Sequence, residues 1–332
     1  MLHVALIGSG YIAKQHAPVY ARLPQTKLVA VINPNPRNAA PWAEELGCPW
    51  YASLEDALKE HKIDMVDICS PTYLHEQHVL EAAAAGCHVL CEKPVTFTLD
   101  SFDRMVNACK QHKVQFMVAQ VARWWPEFID IGRRLQDGSM GNLRFIYEKR
   151  LCTLPTWATW HPDPKKSGGG LYDLNIHDID FLISQLGRPE TVYATGWKSP
   201  SGAWMHVATT LRWAKGMKAV VETCIEMPGA WPFSIEFRGT GDGGTLHYNL
   251  QAGVNIADGQ QHSNYTWYPA GTKDVQQLTV PASDMFEDEI KEFIASIEEK
   301  RAPSVSHEQS RLVLEVILAT LKSLEEGTVQ KL

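Results

Sequence analysis

Two short stretches of this chain carry side chains suited to moving protons. In Gly168-Gly169-Gly170-Leu171-Tyr172-Asp173-Leu174-Asn175-Ile176-His177, three glycines lead into a helical pattern that sets Asp173 and His177 four residues apart. That spacing puts them on one helical face, within mutual reach. A carboxylate beside an imidazole orients the ring and sets its basicity, as a general base near neutral pH requires. Taken alone, the same string also reads as a flexible linker with a capping Asp and a surface His. Upstream, Cys91-Glu92-Lys93-Pro94 follows an apolar run that reads as a strand. Lys93 therefore falls beyond the carboxyl end of a strand, where open α/β sheets bind their ligands. In most chains a lysine there is only a solvated charge. The Lys93–Pro94 bond is a candidate for the cis form, which would fix the direction of the lysine.

A third stretch, Gly8-Ser9-Gly10-Tyr11-Ile12-Ala13, fits G-x-G-x-x-G/A between an N-terminal strand and a helical pattern. The first glycine allows a tight turn; the second lets backbone N–H groups approach a pyrophosphate at a helix N-terminus. Asn33 ends the second strand, where an Asp or Glu usually grips the adenosine ribose. An amide does not repel the 2′-phosphate of NADP, and Arg37 could meet one, so NAD and NADP both stay open. Within Asn33-Pro34-Asn35-Pro36, the asparagine is equally explained as turn chemistry.

These stretches need elements to hold them. The first ~120 residues alternate short apolar runs with helical patterns, the signature of a parallel sheet built from βαβ units. Strands are expected at His3–Gly8, Lys27–Asn33, Met65–Ser70, His88–Glu92 and Gln115–Ala119. Helices are expected at Ala39–Glu45, Leu54–Glu60, His75–Ala85 and Leu99–His112, the last capped by Asp100 or Ser101 and the third stopped by Gly86. After Arg123 the texture changes: tryptophans become frequent and strand-like segments recur at 143–150, 191–196, 207–212, 218–225, 234–239 and 245–249. Repeated strands after a single helix indicate a largely antiparallel sheet. Two helices, Met285–Glu299 and His307–Glu325, close the pattern. The expected architecture is α/β: a doubly wound parallel domain over residues 1–122, then an α+β domain over 123–332.

Bulk properties narrow the function classes. A chain of 332 residues exceeds the size at which one core usually stops growing. A net charge of −7 and a pI near 6.0 argue against nucleic acid as a partner. No apolar run is long enough to span a membrane, and the start reads as a strand rather than an export signal, so a cytoplasmic protein is expected. The seven cysteines are odd in number with no C-x-x-C pair, which supports neither a disulfide framework nor a metal site.

Gly8–Ala13, Glu92-Lys93-Pro94 and Gly168–Asp180, in this order and at these separations, resemble the glucose–fructose oxidoreductase/inositol dehydrogenase (Gfo/Idh/MocA) family. Ser70-Pro71-Thr72-Tyr73-Leu74-His75, Arg123 and Leu324-Glu325-Glu326-Gly327 extend the resemblance over nearly the whole chain. It implies that Gly8, Ser9, Gly10, Tyr11 and Ile12 cradle a dinucleotide, with Asn33 and Arg37 at its ribose. By the same resemblance Ser70, Pro71, Leu74 and His75 line the cofactor cleft, Glu92 sits near the nicotinamide ribose, and Arg123 reaches toward nicotinamide and substrate. Lys93, Asp173 and His177 match the family's catalytic lysine, aspartate and histidine.

The family habit implies a sugar or cyclitol substrate, with Trp125, Trp157, Trp160, His161 and Tyr172 as candidate contacts, and a homodimer or homotetramer. Three positions depart from the family pattern: Asn33 for the usual acid, Asn175 for a common glycine and Gln120 for a frequent Asn. The expected activity is hydride transfer between NAD or NADP and a secondary alcohol or ketone. The alternatives are an NAD-assisted lyase or glycosidase without net redox change, a cofactor-binding sensor that has lost catalysis, and a biliverdin- or amine-directed reductase.

Overall fold

The computed structural model describes residues 1–155, 160, 163–253 and 262–332. Two compact units emerge, Met1–Val121 with Asp284–Arg311, and Ala122–Ser283 with Leu312–Leu332.

In the first unit the strands are β1 (Leu2–Ile7), β2 (Thr26–Ile32), β3 (Trp50–Tyr51), β4 (Met65–Ile68), β5 (His88–Glu92) and β6 (Phe116–Ala119). Helices α1 (Tyr11–Arg22), α2 (Pro36–Glu45), α3 (Leu54–Glu60), α4 (His75–Ala84) and α5 (Leu99–His112) alternate with them. The sheet is parallel throughout, in the order β3-β2-β1-β4-β5-β6. That is the doubly wound order whose strand ends form a crevice for a dinucleotide. Strands β1, β4 and β5 are almost wholly buried, as expected where helices cover both faces. The expected caps of α5 shift: Thr98 is the N-cap, accepting from the Ser101 amide, while Asp100 and Ser101 lie in the first turn. Strand β3 has only two residues, too few to show alternation in sequence.

The second unit is built on a nine-stranded sheet. Its elements are α6 (Pro126–Gln136), β7 (Leu143–Leu151), α7 (Pro164–Ser167), α8 (Ile176–Leu186), β8 (Thr191–Lys198), β9 (Trp204–Arg212), β10 (Lys218–Cys224), β11 (Ser234–Gly241), β12 (Gly244–Gln251), β13 (His262–Pro269) and β14 (Gln276–Gln277). Helices α9 (Met285–Glu298) and α10 (His307–Glu326) and strand β15 (Gln330–Lys331) complete the chain. The strand order is β14-β13-β12-β11-β7-β10-β9-β8-β15, antiparallel except for the parallel pair β7–β10. Phe128, Phe181, Phe237 and Tyr248 fill the core with edge-to-face ring contacts.

Helix α9 belongs to the first unit rather than to the second, where the sequence division at residue 122 would put it. The reason is packing: Phe286 lies against the buried His16 ring at 5.4 Å, and Arg22 pairs with Asp284 and Glu287. All seven cysteines are buried thiols outside any disulfide, Cys48, Cys69, Cys87, Cys91 and Cys109 in the first unit and Cys152 and Cys224 in the second. No helix among the described residues is long and apolar enough to cross a membrane.

Candidate active site

The turn between β1 and α1 is shaped by what each glycine faces. Gly8 has φ +109°, and a Cβ there would lie 2.6 Å from the Cys69 carbonyl oxygen, so only glycine closes the turn onto the end of β4. A Cβ on Gly10, the N-cap of α1, would meet no heavy atom within 4 Å. That open space lies at a helix N-terminus whose first N–H groups are free of intrahelical partners, the place for a pyrophosphate. At the carboxyl end of β6, buried Gln120 leaves its side-chain oxygen without a hydrogen bond among the described residues. Both features fit a bound dinucleotide.

Around this turn the expected cofactor residues hold one another. The Asn33 amide donates to Ser9 Oγ at 3.0 Å, its oxygen accepts from the Asn35 amide at 2.9 Å, and its carbonyl accepts from the Trp50 indole. Asn33 thus performs the turn chemistry and also ties β2 to the glycine turn. Arg37 is exposed on the first turn of α2. Ser70 Oγ meets His78 at 2.9 Å, and Pro71 caps the short turn Thr72–Leu74. His75 is buried, its ring nitrogens 2.7 Å from the Ser70 carbonyl and 3.1 Å from the Pro94 carbonyl. A neutral ring carries a single N–H, so it donates to one of these two carbonyls and packs against the other. Burial drives its pKa down to about 4, despite those carbonyls.

The Lys93–Pro94 bond is cis. Lys93 is half-buried, and its amide donates to the carboxylate of Glu92 at 3.1 Å. Glu92 is buried, its second oxygen 3.5 Å from His16 Nε2. Sequence reasoning passed over His16 and its partner Asp67. The available signal was a carboxylate inside the apolar run Met65-Val66-Asp67-Ile68, since an acid is almost never fully buried without a partner.

In the second unit, the run expected as an ordinary helix begins as a π-helical segment, Leu171–Asn175, and becomes α8 only at Ile176. Such widened turns are rare and are frequent at functional sites. Here the wide turn carries Asp173, and His177 follows in the first turn of α8. The glycines make room for it: a Cβ on Gly169 or Gly170 would sit under 3 Å from the backbone of Trp204 or Met205 on β9. Asn175, fully buried, donates to Thr223 at 3.0 Å and accepts from Thr209 at 3.3 Å, pinning the segment to β10 and β9. This asparagine performs a task a glycine could not.

Helix α8 is fixed by two ion pairs. Arg150 donates to Asp178, and Arg123 makes a two-point bond to Asp180 at 2.7 Å through each contact. Arg123 therefore spends much of its guanidinium on the helix that carries His177. Tyr172 is buried behind Gly168, its phenol pushed up to about 12 by burial. Trp160 is half-buried and its carbonyl accepts from Asp163. Trp157 and His161 lie outside the described residues.

The parallel sheet with its open glycine turn defines a dinucleotide-binding α/β domain. Residues 2–120 match the family described as "Oxidoreductase family, NAD-binding Rossmann fold", and residues 128–246 match "GFO/IDH/MocA C-terminal domain". The chain belongs to the Gfo/Idh/MocA oxidoreductase family.

It is 31% identical to 2,7-anhydro-N-acetylneuraminate hydratase of Mediterraneibacter gnavus over 58% of this chain, a match spanning about half (51%) of that relative's length. An uncharacterized oxidoreductase, YrbE, of Bacillus subtilis is 30% identical over 71% of this chain and 70% of its own. D-xylose 1-dehydrogenase (NADP(+)) 2 of Haloferax volcanii is 26% identical over 98% of both chains. Among solved structures, aldose-aldose oxidoreductase from Caulobacter crescentus superposes with a TM-score of 0.86 at 22% identity, covering 100% of this chain and 99% of that one.

Proposed function

We propose that this chain is an NAD(P)-dependent dehydrogenase acting on a secondary alcohol of a sugar or cyclitol. The observation that carries the reading is the Asp173–His177 stretch, an acid on a glycine-braced π turn and an imidazole in the first turn of the helix that follows, whose position is fixed by Asn175, Arg150 and Arg123. Full-length similarity to a sugar dehydrogenase supports it.

Gly8, Ser9, Gly10, Tyr11 and Ile12 would hold the pyrophosphate, and Asn33 and Arg37 the adenosine ribose. The bound nicotinamide supplies the hydride acceptor. His177 takes the proton from the substrate hydroxyl. Asp173 orients the imidazole and stabilises its charged form, and Lys93 hydrogen-bonds the developing alkoxide. Losing a general base typically costs ~10²–10⁴ in rate, and losing an oxyanion donor about 10²–10³.

The test is a panel of sugars and cyclitols with NAD and NADP in parallel, read as absorbance of the reduced nicotinamide. His177→Ala and Lys93→Ala should each bind cofactor and lose most turnover; unchanged activity in both refutes the assignment. Similarity to a hydratase favours a second reading, transient oxidation of the sugar ring without net redox change. Product formation without accumulation of reduced cofactor would identify it.

The same reading places the enzyme in the cytoplasm as a homodimer or homotetramer. Phe145, Tyr193, Trp197 and Tyr268 stand exposed on strands of the large sheet, apolar area of the kind subunits cover.

A further inference from the structure

Behind the Glu92–Lys93 turn lies a closed chain of polar groups in the interior of the first unit. Asp67, on β4, is fully buried. One of its oxygens receives Tyr20 Oη at 2.9 Å and His16 Nδ1 at 2.8 Å, both from α1; the other receives the Cys69 thiol at 3.4 Å. A carboxylate only accepts, so the short contact fixes a proton on His16 Nδ1. His16 Nε2 then faces Glu92 Oε1 at 3.5 Å, and neither atom has a hydrogen bond among the described residues. Two such atoms attract each other only when one proton lies on one of them, as imidazolium with carboxylate or as imidazole with carboxylic acid. Glu92's remaining oxygen accepts the Lys93 amide.

We propose that Asp67, His16 and Glu92 form a buried array that stores one proton behind Lys93, sets the charge of that lysine and so sets the pH window of turnover. His16 acts through Glu92 and is a positioning residue. The inference rests on the reading of Lys93 as the alkoxide's partner.

The groups facing the array are Tyr20 from α1, Cys69 from β4, Cys91 and Lys93 from β5 and its turn, and Asp284 and Glu289 from α9, with the Phe286 ring against His16. Burial disfavours a charge on His16, yet Asp67, Glu92 and Asp284 outweigh it and hold the imidazole above its ordinary range. Burial pushes Glu92 up to about 7; His16 and Lys93 pull it down and Asp67 pushes it up. The stored proton therefore leaves near neutral pH. Above that point an ionised Glu92 stabilises the ammonium of Lys93; below it the support is gone.

The experiment reads Lys93 directly and needs no substrate. The full-length protein is acetylated with trace acetic anhydride across pH 6–11, and the Lys93 peptide is followed by mass spectrometry. In the unmodified protein the reactivity profile should show an inflection near pH 7 besides that of the lysine itself. His16→Asn removes the cation that favours ionised Glu92, and Glu92→Gln removes the charge outright. Each should raise Lys93 reactivity at pH 8 by about three- to tenfold, half to one pKa unit. The double variant should go no further than Glu92→Gln.

Circular dichroism and the urea midpoint verify that the variants are folded. A folded His16→Asn protein with an unchanged Lys93 profile overturns the proposal. So does a single-inflection profile in the unmodified protein, which decides the matter if the variants do not fold. One equivalent of zinc in the purified protein would also overturn it, because a metal and not a proton would then neutralise the array. If Lys93→Ala keeps turnover, the reading of the active site fails while the labelling result stands.

Discussion

Gly8 and Gly10 stand two residues apart and are needed for different reasons. Gly8→Ala places a methyl group against the Cys69 carbonyl in a backbone region that L-residues rarely adopt, and should cost roughly 1–3 kcal/mol of stability in a denaturant melt. Gly10→Ala meets no protein atom; it should melt like the unmodified protein and lose roughly tenfold or more in NADH affinity, by titration.

His75 gives a pH dependence whose direction follows from its environment. Its folded pKa, about 4, lies below the ordinary 6.5, so the unfolded chain binds a proton that the folded one refuses. Its contribution is complete above pH 6.5 and is lost as pH falls toward 4, by up to roughly 3 kcal/mol. His75→Gln should flatten the stability profile across that window in urea titrations at pH 7 and pH 5.

Helix α8 depends on charges that sequence could name but not pair. Asp180 has no exposed side-chain surface, and burial raises its pKa against the pull of Arg123. Arg123→Ala would strand that carboxylate at a cost of about 3–5 kcal/mol. Replacing both residues, Arg123→Met with Asp180→Leu, should recover part of the loss, measured as the shift in urea midpoint. A residue that serves only to bind cofactor would show no such rescue. The start of the helix was legible only in part. The glycines and the Asp173–His177 spacing were plain, but a π turn and an α turn share nearly the same pattern of polar and apolar residues. The choice between them is made by contacts from β9 and β10, which lie far along the chain.

Over the whole molecule, local periodicity showed that helices exist but not which core they join. The parallel sheet was readable because buried βαβ strands are continuous apolar runs bounded by turns. The six strands expected in the second half appeared, most of them longer than expected, with β13, β14 and β15 added. The parallel pairing of β7 with β10 left no local trace, because register is set between segments distant in sequence. The stripe on α9 looks the same whichever unit it covers. Its assignment to the first unit depends on His16 and Arg22, more than 260 positions upstream.

The distribution of cysteines gives the molecule an internal clock for its own opening. Burial raises the Cys48, Cys87 and Cys109 thiols to about 11, 11 and 12, and a protonated, enclosed thiol scarcely attacks a disulfide reagent. Modification by a chromogenic disulfide must wait until the surrounding chain parts. Cys152 and Cys224 keep time for one unit, and the other five for its neighbour. Peptide mapping along a labelling time course should therefore resolve two groups of rates if the units open separately, and one rate if they open together. Adding NADH should slow the five without the two in the first case, and all seven in the second.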